Sequence, residues 1–255
     1  MRWSKHLQIL VLVTAVGLGL PVLCAMRRPG QLGGPASSPS PGTSSVRPLP
    51  PPAGPGIPQS EFQVMIDPAH GGDDKGVVFG SRIVEKNVTL ALARELRNEL
   101  KERGIASRLL RDSDTAISLD RRAQAANEQR SAIYVALHAG PLGKGVRVYW
   151  PLLVSQEPPV GRFLPWNSAQ APSLGRSGQL AKAVYRELQK KDLQASILRA
   201  PLRPLNNITA PAIAVELALQ SGDPRSLESA RFQNTVASAI AAAIAQERPH
   251  LEARP

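Results

Sequence analysis

Two histidines that close apolar runs are the residues of this chain best placed to do chemistry: His70 in IDPAHGG and His138 in AIYVALHAG. The other two, His6 and His250, fall in the basic N-terminal start and in a polar C-terminal stretch. Strand ends are where α/β proteins present groups to a ligand. A catalytic zinc takes three protein ligands, usually imidazoles with a carboxylate, and keeps a fourth position for a water whose pKa falls toward about 7. His70, Glu85 and His138 supply that donor set, and Glu216, closing the run PAIAVE, brings a second carboxylate to the same edge as a base. The set suggests a metal-dependent hydrolase. Each residue also has a plainer use. A strand-end histidine can bond a loop carbonyl, Glu85 can be a first-turn carboxylate favoured by the helix dipole, and Glu216 can be a buried carboxylate paired with an arginine. The spacing is not a compact signature of the HExxH kind, so the residues alone leave the substrate open.

The elements that must position these groups alternate along the chain. Phe62 to Ile66 reads as a strand, and Asn87 to Arg103 carries Val88, Leu92, Leu96 and Leu100 at i, i+4 spacing, an amphipathic helix that Asn87 caps and Gly104 ends. Between them, Gly71, Gly72, Gly76 and Gly80 give the loop the freedom to bring Glu85 back toward His70. Ala106 to Leu110 is the next strand and Leu119 to Glu128, capped by Ser118, the next helix. Ile133 to Leu137 is wholly apolar, as expected of a strand buried on both faces. Val146 to Trp150 and Ala212 to Val215 read as further strands, with Gln179 to Lys190 and the alanine-rich Leu227 to Ala245 as helices. The alternation predicts a single α/β domain, a three-layer α/β/α sandwich on a mostly parallel sheet, over residues 61–246. A polar tail, 247–255, follows.

Ahead of that domain lie two segments of different character. Residues 1–28 pair the basic start MRWSKH with an uncharged apolar stretch, 7–26, which is an export signal, either cleaved or retained as an inner-membrane anchor. Cys24, the single cysteine, is preceded by Pro21, Val22 and Leu23, without the small residue that lipidation signals carry. Residues 29–60 are a disordered Pro/Gly/Ser-rich linker, able to reach about 100 Å when extended. The absence of cysteine beyond it fits the periplasm or cell envelope. Net charge is +11, and +7 without Arg2, Lys5, Arg27 and Arg28, which favours anionic envelope polymers or lipid headgroups and argues against nucleic acid as partner.

Over about residues 62–246 the chain resembles the zinc-dependent N-acetylmuramoyl-L-alanine amidases of the amidase-3 family. IDPAHGG stands against the family's DPGHGG, followed by Glu85-Lys86 and a helix closed by RG. Arg111 with Asp114 answers TR..D, and Leu119, Arg122, Ala126 and Asn127 answer L..R...AN. LHA at 137–139 matches the core of SIHAN, and Pro211 with Val215-Glu216 matches PAVLVE. The resemblance implies that His70, Glu85 and His138 bind Zn2+, that Glu216 is the catalytic carboxylate, and that the substrate is peptidoglycan, cut between muramic acid and L-alanine in wall remodelling or daughter-cell separation. It also brings an activating envelope protein into view as a partner, with the chain itself expected to be a monomer.

Departures from the family pattern fall around the site. Ala69 replaces a glycine, Ala136 and Gly140 replace the Ser and Asn of SIHAN, and Ala218-Leu219 replace Gly-Phe after the glutamate. None removes a ligand, but each touches the groups that orient one. Two other readings therefore stay open: a catalytically silent peptidoglycan-binding domain with this fold, and a zinc peptidase or amidase on another envelope substrate. Asp67 and Asn127 stand near the site, where roles in turn formation and helix packing compete with functional ones. The segment 151–176, with Phe163, Trp166 and several prolines, is expected to form a cover beside the site.

Overall fold

In the computed structural model, the described residues are 62–129, 131–153, 166–219 and 222–252. The expected signal or anchor (1–28), the linker (29–60) and the central part of the expected cover (154–165) lie outside them. Among the described residues, no helix is long and apolar enough to cross a membrane.

The strands are β1 (Gln63–Pro68), β2 (Val78–Phe79), β3 (Ile83–Val84), β4 (Ala106–Leu109), β5 (Ile133–Gly140), β6 (Val146–Pro151), β7 (Ala195–Ala200) and β8 (Ala212–Ala218). The helices are α1 (Glu85–Glu102), α2 (Leu119–Glu128), α3 (Leu174–Lys190) and α4 (Ala230–Glu252). Six strands form one sheet in the order β4-β1-β5-β8-β6-β7, while β2 and β3 make a separate small hairpin. The first four run parallel; β6 pairs antiparallel with β8 and parallel with β7, so the sheet is mostly parallel, as the alternation of elements predicts.

One face of the sheet carries Val64, Ile66, Ile133, Val135, Leu137, Val148, Ile213 and Val215, packed against α1, α3 and α4. The other carries Met65, Tyr134, Ala136 and Ala214, covered by Ala123 and Ala126 of α2 and by Leu205 and Ile208 of the segment before β8. Both faces are thus buried, which is why β5 and β8 read as continuous apolar runs rather than as alternating strands.

Several boundaries move for identifiable reasons. Helix α1 begins at Glu85 with no side-chain cap, because the carbonyls of Val77 and Lys75 accept from the first amides, Glu85 N at 2.9 Å and Lys86 N at 3.3 Å. Asn87 is therefore not its cap. Ser118 does cap α2, accepting from Arg121 N at 3.3 Å. Strands β5 and β8 run three residues past the expected ends and pair over Tyr134–Gly140 and Ala212–Ala218. His138 and Glu216 consequently sit inside paired strands. Helix α3 starts ahead of Gln179; Gly178, in its first turns, lets it close on Trp150, whose ring would lie 3.1 Å from a Cβ there. The edge strand β7 has no burial alternation and left no sequence signal. Leu227 belongs to a short 3-10 segment ahead of α4, and α4 continues to Glu252, through residues read as a polar tail.

Candidate active site

The three candidate ligands converge. His70 follows β1, Glu85 opens α1 and His138 lies in β5, and one ligand atom from each falls within 4.8 Å of the others. His70 Nε2 lies 3.0 Å from Glu85 Oε2, and His138 Nδ1 lies 3.1 Å from Glu85 Oε1. The two imidazole rings meet edge to face, 5.8 Å apart at an angle of 89°.

A strained turn sets His70 in place. Its φ of +62° is in the left-handed region, unusual for a residue with a Cβ. Two buried arginines hold the turn: Arg122 Nη2 donates to His70 O at 2.8 Å, and Arg111 Nη2 donates to Ala69 O at 2.9 Å. Thr89 Oγ1 donates to the same Ala69 carbonyl at 3.0 Å. Arg122 is itself paired with Asp67, which also accepts from Tyr134. Asp67 is thus structural. Asn127 is too, since its Nδ2 donates to Asn207 O at 2.9 Å and its Oδ1 accepts from Thr209 N at 2.9 Å, tying α2 to the covering segment.

Glu85 is the most enclosed member of the site, with 4% of its side chain exposed. Both its oxygens accept from backbone as well as facing an imidazole: Ala139 N donates to Oε1 at 3.1 Å and Val77 N to Oε2 at 3.0 Å. Burial alone would raise its pKa, but the contacts with His138, His70 and the Val77 amide hold it far below the usual carboxylate range. Gly76 makes the approach feasible, because a Cβ there would stand 2.6 Å from both Glu85 Oε2 and His70 Cδ2. Of the four loop glycines, Gly76 is the one that makes room between Glu85 and His70, whereas Gly71 and Gly72 close on Thr115 and Ala116.

One residue of this group escaped the sequence reading. Asp74 Oδ2 lies 2.8 Å from His70 Nδ1, and its Oδ1 accepts from Gly76 N at 3.1 Å. A carboxylate four residues past a candidate ligand was the available signal. Burial pushes His70 down, yet Glu85 and Asp74 together outweigh it and raise its pKa. With a carboxylate on each ring nitrogen, the protonated form of His70 is favoured over that of an ordinary imidazole, and a proton on Nε2 would compete with a cation for the same place. Ligand atoms about 2 Å from a tetrahedral ion stand roughly 3.3 Å apart, so this donor set, two imidazoles and one carboxylate already drawn together, fits such an ion. Asp74 then orients the His70 ring through its second nitrogen.

Glu216 is in register with His138 on the neighbouring strand and faces Arg147 across β6. Arg147 Nη2 donates to Glu216 Oε1 at 2.5 Å, so the plainer reading of Glu216 as a carboxylate paired with an arginine describes its contact as well. Beside it, burial and the charge of Glu216 push the Tyr149 hydroxyl up to about 12. Arg147 and Tyr149 were missed, although their alternation in VRVYW puts both on one face of β6. His70, Glu85, His138, Tyr149 and Glu216 share one pocket of about 380 Å³, with Pro141, Leu202 and Leu205 on its apolar side. Of the expected cover, 151–153 ends and follows β6, and 166–176 forms two 3-10 turns leading into α3; there Gln170 Nε2 donates to Ile208 O at 2.6 Å, packing the turns on the segment before β8.

Comparison with known proteins sets this geometry among characterised folds. A family profile described as N-acetylmuramoyl-L-alanine amidase matches residues 64–246. N-acetylmuramoyl-L-alanine amidase AmiC of Neisseria meningitidis is 26% identical over 220 residues, covering 71% of this chain and 51% of that protein. AmiA of Salmonella typhimurium is 36% identical over 94 residues, 35% of this chain and 32% of that one. The chain thus spans about half the length of the first and a third of the second. Among solved structures, the amidase AmiC2 of Nostoc punctiforme superposes with a TM-score of 0.58 at 26% identity, covering 74% of this chain and 98% of that one.

Proposed function

The chain belongs to the amidase-3 family of N-acetylmuramoyl-L-alanine amidases, and we propose that it hydrolyses the amide between N-acetylmuramic acid and L-alanine in peptidoglycan. The observation that carries this reading is the convergence of His70, Glu85 and His138 within 4.8 Å in the pocket that also holds Glu216. We take the first three as ligands of a zinc ion, the metal of the resembling family. When bound there, zinc supplies Lewis acidity toward the amide carbonyl and lowers the pKa of water.

The rest of the work falls to the protein. Glu216 accepts a proton from the attacking water and returns it to the amide nitrogen, so that the leaving L-alanine departs as a neutral amine. Glu85, buried and already accepting four contacts, stays ionised and is unsuited to that exchange. Leu202, Leu205 and Pro141 give the pocket an apolar wall that suits the methyl groups flanking the scissile bond and limits water around it. In this reading residues 1–28 export the chain, as a cleaved signal or a retained inner-membrane anchor, and 29–60 tether a monomeric domain in the envelope, where an activating protein would meet it. The biological setting is wall remodelling or daughter-cell separation.

The test is to incubate the full chain with purified peptidoglycan, with and without a chelator, beside Glu216→Ala. The reading requires zinc-dependent release of peptides with a free L-alanine N-terminus, absent in the variant. Stoichiometric zinc without that product would refute it.

A further inference from the structure

The proposed reaction leaves Arg147 without a task. It lies opposite Glu216 in the β6–β8 pair, its Nη2 bonds Glu216 Oε1 at 2.5 Å, and both side chains are largely enclosed, 14% and 18% exposed. Among the described residues this is the guanidinium's single hydrogen bond, and its Nε is buried with no partner.

The two arginines that serve the scaffold look different. Arg111 donates to the carbonyls of Pro68, Ala69, Lys86 and Ser113, and Arg122 to those of Ile117, Pro68 and His70 besides Asp67. A guanidinium retained for stability spreads its donors over the frame, because each buried N–H left unpaired is costly. Among the described residues Arg147 leaves its Nε unpaired and directs Nη2 to the carboxylate assigned to the proton transfer.

The surroundings are shaped to the same end. A Cβ on Gly140 would stand 1.7 Å from Glu216 Oε1 and 3.0 Å from Arg147 Nη2, so bare backbone leaves the space in which the two meet. Tyr149, two residues along β6, lines the same pocket beside Glu216. Oε1 is therefore pinned, while Oε2 is outside the ion pair. We propose that Arg147 is a positioning residue for Glu216: by fixing Oε1 with a charge-assisted bond it fixes the direction in which the carboxylate faces the pocket. This rests on the reading of Glu216 as the carboxylate that moves the proton.

The experiment has two arms on the full chain. In the first, peptide release by Arg147→Ala and Arg147→Lys is compared with wild type at equal zinc content. The expected result for Arg147→Ala is a kcat lower by about 10- to 100-fold with KM nearly unchanged, partly restored by millimolar guanidinium ion, with Arg147→Lys in between. A structural defect would not respond to added guanidinium. Wild-type kcat in Arg147→Ala, or a loss that guanidinium does not relieve, overturns the role of Arg147 and leaves the amidase reading standing. The second arm needs no turnover: urea midpoints of Arg147→Ala, Glu216→Gln and the double variant. Losses in the two single variants that exceed the loss in the double support the contact. Should wild type release no peptide, the amidase reading falls and this arm decides, with additive midpoints overturning the proposal.

Discussion

Replacing Gly140 with alanine displaces the Glu216 carboxylate and crowds the Arg147 guanidinium that meets it. Gly140 lies in β5 outside the left-handed region, so alanine meets no backbone strain there. Its Cβ, however, would stand 1.7 Å from Glu216 Oε1, and real contacts begin at about 3.0 Å, so the oxygen must retreat by at least about 1.3 Å. Glutamate can turn about its side-chain bonds, so the fold absorbs the change; the 2.5 Å bond to Arg147 does not survive it. A misplacement of about 1 Å in a catalytic group costs on the order of 100-fold in rate, which corresponds to about 2.7 kcal/mol of activation free energy.

The assay is steady-state release of L-alanine-terminated peptides from purified peptidoglycan, with zinc content and urea midpoint measured on the same preparation. Gly140→Ala should keep its zinc, because no atom of His70, Glu85 or His138 is among the nearest neighbours of that Cβ. Its kcat should fall about 100-fold while KM changes little. Gly140→Asn, which restores the residue of the family's SIHAN motif, should do the same, since in this chain Arg147 and the bare backbone are matched. Wild-type kcat in Gly140→Ala would refute the argument that the position of Oε1 matters.

Three further outcomes follow from the site. Arg122→Met leaves Asp67 buried with only Tyr134 and frees the His70 turn; it should cost about 3 to 5 kcal/mol in urea denaturation, and a loss below about 1 would show that the turn holds itself. Asp74→Asn should weaken zinc binding about 10- to 100-fold in competition with a chromophoric chelator, and unchanged affinity would remove Asp74 from the site. Burial lowers the His70 pKa but Glu85 and Asp74 raise it by more, so protons compete with zinc for this ring at higher pH than for an ordinary imidazole. Apparent zinc affinity should therefore fall as pH drops through the raised pKa, with protons released on binding in calorimetry below it; an affinity independent of pH across that range would contradict the assignment.

The sequence was legible where one physical cause dominates. The i, i+4 leucines of α1 and the unbroken apolar runs of β5 and β8 report burial directly, and burial sets both fold class and strand placement. Boundaries escaped where the cause was tertiary: α1 begins at Glu85 because loop carbonyls satisfy its first amides, and no local cap residue records that. The edge strand β7 escaped because one row of half-exposed side chains has no pattern to read.

The same division runs through the site. The convergence of His70, Glu85 and His138 in one pocket with Glu216 was legible from the donor set, although His138 and Glu216 lie inside paired strands and not at strand ends; Arg147 was not legible, since an arginine in a strand reads as a solvated face until its partner is known. Its partner is fixed by register: β6 runs against β8, and only that pairing puts Arg147 opposite Glu216. In this chain Gly140 stands where the family motif has a side chain, and the vacated space holds the Arg147–Glu216 contact. The two features are one arrangement. A departure that looks in sequence like erosion of the SIHAN motif is, in three dimensions, the condition for holding the carboxylate in place.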